Sequence, residues 1–391
     1  MPVNNCPVCC TGHLSSFLRR RQVPVHQNLI VPDREAALTV ARGELDFAVC
    51  VECGFVFNRT FDPAKLAYGD HYDNTQSCSA YFDAYLDDLA KNLVEAKEVR
   101  NSNVVEVGCG KGAFLRKLVC YPGSSNQGIG FDPSYLGPDS DLDGRLSFRR
   151  CYYDSACSDI PADVVICRHV IEHVSDPLAL LRSVHSALVQ SPTARVFIET
   201  PCVEWILRNR VVWDLFYEHC SLFSTYSLSL LCYRAGFHVE HVTHVFCGQY
   251  LWLEARASGD ACTVFRTEKP DVESLAHAYA ADEQALRDKW RSRMNDLKRR
   301  GKLALWGAGA KGVTFANLAD PQCTFLDCVV DINPNKQGSF IPGTGHPIVS
   351  PDELVGRDIR NVILLNPNYR SENRQLLADA GINCDLIDWS E

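Results

Sequence analysis

The chain has 391 residues, of which 46% are hydrophobic and 22% are charged. This length predicts two domains and a smaller module, and the composition excludes a disordered or membrane-embedded chain. The formal net charge of −9 disfavours nucleic acid and acidic lipid surfaces as partners, so we expect a small-molecule substrate, with no nucleic acid and no membrane as a partner.

The N-terminal residues carry neither the basic patch nor the apolar run of a secretory signal, and no later stretch is apolar over the roughly 18 residues of a membrane span. Most of the 19 cysteines lie singly within apolar runs, as Cys167 and Cys328 do. This pattern indicates buried free thiols in a reducing compartment. We therefore expect a cytoplasmic protein, either a monomer or a homodimer.

Four cysteines near the N-terminus form two C-x2-C pairs: Cys6 with Cys9, and Cys50 with Cys53. Each pair places two thiolates on one tight turn, and two such turns complete a tetrahedral S4 site for a structural Zn²⁺. We predict a zinc-binding module over residues 1–61, in which His13 or Cys10 is an alternative ligand. The competing interpretation is that the pairs are ordinary thiols in a cysteine-rich chain.

Residues 62–100 are polar and aromatic, and they predict a bridging loop followed by a helix. Short apolar strands then alternate with helical patterns as far as residue 257. The predicted strands are VVEVG, QGIGFD, DVVIC and RVFIET, and the predicted helices are FLRKLV, PLALLRSVHSALV and SLSLLCYRAGF. This alternation predicts a doubly wound α/β sheet over residues 101–257.

A glycine-rich turn follows the first of these strands, in the sequence VVEVGCGKG over residues 104–112. Glu106 precedes Gly108 and Gly110, which allow the backbone to approach a ligand closely. Asp132 ends the next apolar strand, where a carboxylate can accept both ribose hydroxyls of an adenosine. Since a dinucleotide domain would show the same features, the choice of cofactor depends on later motifs.

The later motifs are RHVIEH over residues 168–173, IETP over residues 198–201, and the loop acid Asp154 after the strand-like RCYY. With them, residues 100–255 resemble the class I S-adenosylmethionine (SAM)-dependent methyltransferases. The resemblance implies that the glycine loop holds the methionine part of SAM and that the second-strand acid holds the ribose. The expected SAM-binding residues are Glu106, Gly108, Gly110, Asp132, Pro133, Asp154, Arg168, Tyr72 and Ser77.

His169 and His173 raise the question of a metal site, being four residues apart on a possible helix. Their order, H-V-I-E-H, differs from the H-E-x-x-H of zinc proteases. We therefore favour packing or capping roles for both histidines.

Residues 258–300 predict a linker and a long charged helix, and residues 301–391 predict a Rossmann-like C-terminal domain with strands LALWG, LDCVVD and NVILLN. The loop GAGAKG over residues 307–312 precedes Asp331 at the end of the next strand, which is a dinucleotide fingerprint. An NAD-using enzyme is therefore an alternative, although about 90 residues are few for a full dinucleotide domain.

The whole layout resembles the nucleotide-sugar C-methyltransferases of deoxysugar pathways. The local sign is Phe216-Tyr217-Glu218-His219, because a comparable segment in that family supplies the base that removes a proton beside a keto group. The resemblance implies a catalytic set of His219, Glu218 and Tyr217, with His219 or Glu218 as the base. It also implies that the C-terminal domain has lost its cofactor and helps to hold the substrate, where Lys311 would meet a diphosphate.

The expected reaction is therefore SAM-dependent methylation of a carbon alpha to a carbonyl, in a keto-deoxysugar nucleotide or a related natural-product intermediate. The alternative within the same class is SAM-dependent methylation of carbon, oxygen or nitrogen in a non-sugar small molecule. The expected cofactors are SAM and a structural Zn²⁺.

Overall fold

The computed structural model describes residues 2–66, 72–75, 78–257 and 268–389. Ser77, which was predicted to contact SAM, lies outside the described residues. Three β-sheets of four, eight and five strands fill these ranges. None of the described helices combines the length and the apolar character that crossing a membrane requires.

The first sheet connects the N-terminal module to the middle of the chain. Its N-terminal strands are β1 (Leu14–Pro24), β2 (Arg42–Cys50) and β3 (Val56–Asn58), with helix α1 (Arg34–Leu38) between the first two. The fourth strand is only Ser221–Leu222, and it pairs antiparallel with β3. Because this strand begins two residues after His219, the N-terminal module holds the 216–219 segment in place.

The second sheet carries the glycine loop. Its strands are β4 (Asn103–Val107), β5 (Gln127–Phe131), β6 (Ser140–Asp141), β7 (Leu146–Arg149), β8 (Val164–Arg168), β9 (Arg195–Pro201), β11 (His238–Val245) and β12 (Tyr250–Arg256). The strand Ser221–Leu222 of the first sheet comes between β9 and β11 in the chain and is numbered β10. The accompanying helices are α2 (Ala80–Lys91), α3 (Ala113–Cys120), α4 (Pro177–Ala187), α5 (Val203–Arg208) and α6 (Thr225–Arg234).

The strand order of this sheet is β11-β12-β9-β8-β4-β5-β7-β6. Strands β4, β5, β7, β8 and β9 are parallel, whereas β12 runs antiparallel beside β9. The chain moves outward from β4 in one direction and then returns to β8 on the other side, so the carboxyl ends of β4 and β8 form a topological switch point. The predicted doubly wound α/β fold is confirmed.

One local prediction in this domain was wrong, and one pattern considered for a metal site is not formed. RCYY is not a strand, because β7 ends at Arg149 opposite Phe131, where its partner β5 also ends. RHVIEH does not form an α-helix, since His169 has a φ of 54° and only Ile171–His173 forms a 3-10 turn. His169 and His173 therefore do not share one face of an α-helix.

The C-terminal part begins with the predicted long helix, α7 (Val272–Arg300), whose first turn is capped by Asp271. Its strands are β13 (Lys302–Trp306), β14 (Leu326–Val330), β15 (Ile348–Val349), β16 (Ile359–Leu364) and β17 (Asp385–Asp388). The helices are α8 (Ala310–Ala319), α9 (Glu353–Arg357) and α10 (Arg370–Asp379). The five strands are all parallel, in the order β15-β14-β13-β16-β17, which confirms the Rossmann-like sheet.

Candidate active site

The four predicted cysteine ligands lie together in the N-terminal module. The Sγ atoms of Cys6 and Cys53 are 3.6 Å apart, those of Cys9 and Cys50 are 3.4 Å apart, and all four lie within 4.8 Å of one another. Zinc bound tetrahedrally at about 2.3 Å from each sulfur would hold the sulfurs about 3.8 Å apart. The donor set fits a structural zinc ion.

The two alternative ligands lie outside this cluster. The Nδ1 atom of His13 is 2.9 Å from Oε1 of Glu52 on the surface, and Cys10 is exposed. Neither belongs to the four-sulfur group.

The glycine loop after β4 adopts a left-handed backbone at Gly108, Gly110 and Gly112, with φ of 70°, 54° and 75°. A Cβ added at Gly108 would lie 2.1 Å from Val170, so this position requires glycine for packing. At Gly110 an added Cβ would meet nothing within 4 Å, and a ligand has room to approach there. Oδ2 of Asp132 accepts the Gly110 N–H at 2.9 Å, which ties the second-strand acid to the loop.

Glu106 lies beneath this loop with 3% of its surface exposed. Its Oε2 has no hydrogen-bond partner among the described residues, and burial raises the pKa of its carboxyl to about 8. A buried acceptor without a partner requires an explanation. A donor group supplied by a bound ligand satisfies this requirement.

Arg168, the last residue of β8, forms an ion pair beneath the cavity edge. Its Nε lies 2.5 Å from Oε2 of Glu199, and its guanidinium lies 4.4 Å from the ring centre of Phe114. Although burial opposes ionisation, Arg168 and His169 lower the pKa of Glu199 to about 2. Nη2 of Arg168 has no partner among the described residues, so the SAM contact expected from the sequence stays a prediction.

Two further predicted SAM contacts, Pro133 and Asp154, lie in loops that follow β5 and β7. Pro133 is exposed directly after Asp132. Asp154 is exposed as well, and its Oδ1 accepts the N–H of Ala156 at 2.9 Å, which caps a short 3-10 turn.

A cavity of about 310 Å³ lies where the N-terminal module and the two larger sheets meet. None of the described residues that line this cavity belongs to the glycine loop after β4, but Gly108 packs against Val170, which follows the cavity residue His169. The residues that line the cavity include Asn28, Tyr72, His169, Glu172, His173, Phe216, Glu218, His219, Asn333, Lys336 and Asn373. The sequence predicted three of these, Tyr72, Glu218 and His219, as site residues.

Glu218 is fully buried, and its two carboxylate oxygens differ in their hydrogen bonding. Oε2 accepts the backbone N–H of Gln27 at 2.7 Å, and Tyr72 also hydrogen-bonds to the carboxylate. Oε1 has no partner among the described residues. Burial raises the pKa of Glu218 to about 7. Tyr72, predicted to contact SAM, is thus a partner of Glu218.

His219 is held between aromatic rings in the same cavity. Its ring centre lies 4.0 Å from that of Phe216 and 4.8 Å from that of His173. Burial, together with the charges of His173, His169 and Lys311, lowers the pKa of His219 well below its usual range. The imidazole of His219 is therefore neutral near pH 7.

Tyr217 does not reach the cavity, so its prediction as a catalytic residue is withdrawn. Its ring occupies the space where a Cβ on Gly43 would stand, 2.2 Å away, and stacks at 5.3 Å from Phe61. Its hydroxyl accepts the N–H of Asp62 at 2.9 Å. Tyr217 packs the segment against the N-terminal module.

Glu172 and His173 line the cavity, although the sequence analysis gave Glu172 no role and favoured packing or capping for His173. The Thr200 hydroxyl donates to Oε2 of Glu172 at 3.0 Å, and the donor atoms of Glu172, His173 and His219 lie within 4.8 Å of one another. The pair Glu172-His173 follows β8 directly, at the carboxyl edge of the sheet. That position was the signal that could have identified them.

The loop after β13 faces the cavity from the C-terminal sheet, but Lys311 is already paired. Its Nζ lies 2.5 Å from Oδ2 of Asp214. Asp331 accepts the N–H groups of Ala308 at 2.7 Å and Asn333 at 2.8 Å, in the manner in which Asp132 accepts from Gly110. The two nucleotide-fold sheets therefore organise their glycine loops in the same way.

Two family models match consecutive parts of the chain. A methyltransferase domain matches residues 79–242, and a C-methyltransferase C-terminal domain matches residues 267–382. The second match covers the sheet that the sequence alone had left open to an NAD-using alternative.

Among curated proteins, the C-methyltransferase NovU of Streptomyces niveus is 26% identical over 398 residues, which covers 95% of this chain and 91% of NovU. A tRNA U34 carboxymethyltransferase of Campylobacter lari is 28% identical over 152 residues, or 36% of this chain and 51% of that protein. The solved structure of an S-adenosylmethionine-dependent methyltransferase from Mesorhizobium loti aligns with 44% of this chain and 99% of its own, at 19% identity and a TM-score of 0.32.

Proposed function

We propose that the chain is a SAM-dependent C-methyltransferase that methylates a carbon alpha to a carbonyl in a keto-deoxysugar nucleotide or a related natural-product intermediate. Such a carbon becomes nucleophilic only after a proton has been removed from it. The observation that carries the proposal is Glu218, a buried carboxylate that lines the cavity and has one oxygen without a partner among the described residues.

Glu218 is the better supported of the two bases that the sequence suggested. A general base is most effective when its pKa lies near the working pH, and burial places the pKa of Glu218 at about 7. Taking up a proton also removes a buried negative charge. The same burial makes a cationic His219 unfavourable, so His219 fits a neutral hydrogen-bond donor to the carbonyl oxygen of the acceptor.

We propose that the glycine loop and its two acids hold SAM, which supplies an electrophilic methyl group when bound. Gly110 leaves room for the ligand, and Glu106 offers an unpartnered acceptor for its ammonium group. Asp132 would accept the ribose hydroxyls while it fixes the loop through Gly110. Pro133 and Asp154, which belong to the same expected SAM-binding set, lie in the loops after β5 and β7.

We propose that Cys6, Cys9, Cys50 and Cys53 bind a structural Zn²⁺ ion. Two of these cysteines flank the turn between β2 and β3, and β3 pairs with the strand that begins directly after Cys220. The ion would therefore fix the position of Glu218 and His219 at a distance.

The experiment that tests the function uses SAM with an isotope-labelled methyl group and a panel of keto-sugar nucleotides. The carbon that receives the label is then located by NMR. Label on a carbon next to a carbonyl is the expected result. Label on oxygen or nitrogen would contradict C-methylation of the acceptor, while leaving SAM dependence intact.

A further inference from the structure

Lys336 is a buried lysine whose ammonium group forms no direct ion pair with the described residues. The residue is 6% exposed, and its Nζ donates to two neutral acceptors, Oδ1 of Asn28 at 3.0 Å and the carbonyl of Ala308 at 3.2 Å. Within the described ranges no carboxylate oxygen lies within 4.0 Å of it. An ammonium carries three donors, so one donor is left for a group that enters the cavity. The carboxylates of Asp331, Asp73 and Glu218 act on its charge only through space.

Two buried amide groups on the same side of the cavity also lack acceptors. Nδ2 of Asn333 has no partner in the described part of the chain, while its Oδ1 is occupied by the N–H of Asn335 at 3.0 Å. Nδ2 of Asn373 is unpartnered as well. Both residues line the cavity and are at most 3% exposed. Buried donors of this kind normally have partners, so this wall is built to meet acceptor atoms.

The fold explains why these donors converge. Asn333 and Lys336 follow β14, Asn373 lies on the helix after β16, and the N-terminus of α8 follows β13. All three strands are parallel neighbours, so their carboxyl ends form one edge, which is where open α/β sheets bind ligands. A Cβ added at Gly307 would meet nothing within 4 Å, so the edge is open to a ligand.

We propose that Lys336, assisted by Asn333, binds an oxyanion of the acceptor substrate. The inference rests on the proposed function for the identity of the acceptor, and it assigns the role to Lys336 because Lys311 is paired with Asp214. The oxyanion has two possible sources. One is a permanent group of the acceptor, such as a phosphoryl group.

The other source is the enolate oxygen of the acceptor. When Glu218 takes the alpha proton, the C–H electron pair moves into the new carbon–carbon double bond and the carbonyl π electrons move onto oxygen. A buried ammonium stabilises such a charge strongly, because the interior screens it less than water does.

The test compares Lys336→Gln with Lys336→Arg and with Lys302→Gln. Gln keeps N–H donors for Asn28 and Ala308 but removes the charge, whereas Arg keeps the charge. Lys302 is a matched control, since it begins β13 at the opposite end of the sheet and its side chain is 54% exposed. For each full-length variant, inorganic pyrophosphate binding and SAM binding are measured by calorimetry. The kcat and the exchange of the acceptor alpha proton with solvent deuterium are measured in the same set.

A permanent oxyanion predicts that Lys336→Gln weakens pyrophosphate binding by roughly tenfold or more, and that Lys336→Arg largely restores it. An enolate predicts that exchange and kcat fall by roughly a hundredfold with SAM binding unchanged. A folded Lys336→Gln protein that matches Lys302→Gln in all measurements overturns the proposal. Should Lys336→Gln not fold, Asn333→Ala tests the same site with the same readouts, and unchanged values there would count against it equally.

Failure of the proposed function gives a different pattern. Wild-type enzyme would then show no alpha-proton exchange and would transfer the labelled methyl group to oxygen or nitrogen. The effect of Lys336→Gln on pyrophosphate binding would still show whether Lys336 binds an oxyanion.

Discussion

The backbone N–H of Gln27 donates a 2.7 Å hydrogen bond to Oε2 of Glu218. One oxygen of the proposed base is therefore held by a residue of the N-terminal module, and Oε1 is left to the cavity. Because a backbone donor cannot be removed by side-chain substitution, the orientation of Glu218 is fixed by the fold itself.

Replacing Glu218 by Gln should lower kcat by roughly 10² to 10⁴, the range usual for loss of a general base. In the wild type, kcat should rise with pH and level off above about 7, because the carboxyl with a pKa of about 7 must be ionised. A pH–rate profile of both proteins checks this. Wild-type turnover in the Gln variant would exclude Glu218 as the base.

The same substitution should increase stability in alkaline conditions. The folded-state pKa of Glu218 is raised from 4.5 to about 7, so the folded state binds more protons than the unfolded state between these values. Wild-type stability is therefore lost as pH rises through this window. At pH 8 the Gln variant should be more stable by about 3 kcal/mol, and at pH 4 the two should be alike. Thermal or urea unfolding at both pH values measures the difference.

Replacing His219 by Ala should lower kcat by roughly 10² through loss of a donor to the developing oxyanion. SAM affinity should remain near the wild-type value, since His219 lines the acceptor cavity rather than the glycine loop. Calorimetry with SAM and steady-state kinetics separate the two effects. Loss of SAM binding in a folded His219→Ala protein would show that His219 belongs to the SAM site and not to the acceptor cavity.

Replacing Asp132 by Ala should weaken SAM binding by roughly 10- to 100-fold, because each hydrogen bond to a charged group contributes about 1.5–3 kcal/mol. Asp132→Asn retains an acceptor for the Gly110 N–H and should show a smaller loss. Asp139→Ala, an exposed acid in the next loop, is the control. Equal affinities in all three variants would move the cofactor site elsewhere.

Purified protein should contain one zinc ion per chain, and Cys50→Ser should release it. Turnover should fall with the metal, because β3 pairs with β10 beside His219. Cys10→Ser alters the exposed neighbour of the cluster and should retain both zinc and activity. Metal analysis and kinetics on the three proteins decide this. A fully active, metal-free wild type would show that the four cysteines are ordinary thiols.

The parts of the site that were predictable from the sequence are those that one local motif specifies. A strand, a glycine turn and a helix are consecutive in the chain, so Gly108, Gly110 and their spacing to Asp132 identify the loop without any long-range contact. The same reasoning located the second glycine loop and all three predicted strands of the C-terminal sheet.

What the sequence did not indicate depends on contacts between distant segments. Tyr217 was misplaced because Gly43, far away in the chain, leaves the space that its ring fills. The sequence around Lys336 is typical of a solvent-exposed loop. That Lys336 is buried is evident only from its contacts with Asn28 and Ala308. The two-residue strand Ser221–Leu222 is too short to carry a periodic signal, and it exists because β3 provides its partner.

That short strand also has a consequence for biosynthesis. On the ribosome, β1, β2 and β3 emerge early, but β3 has an unsatisfied edge until Ser221 and Leu222 have been synthesised and can pair with Phe57 and Val56. Pairing between such distant segments is slow to form, and an unpaired edge is exposed to aggregation in the meantime. The nascent N-terminal module must therefore wait for most of the second sheet before it is complete, so the yield of this enzyme should depend on translation rate and on chaperones that shield strand edges.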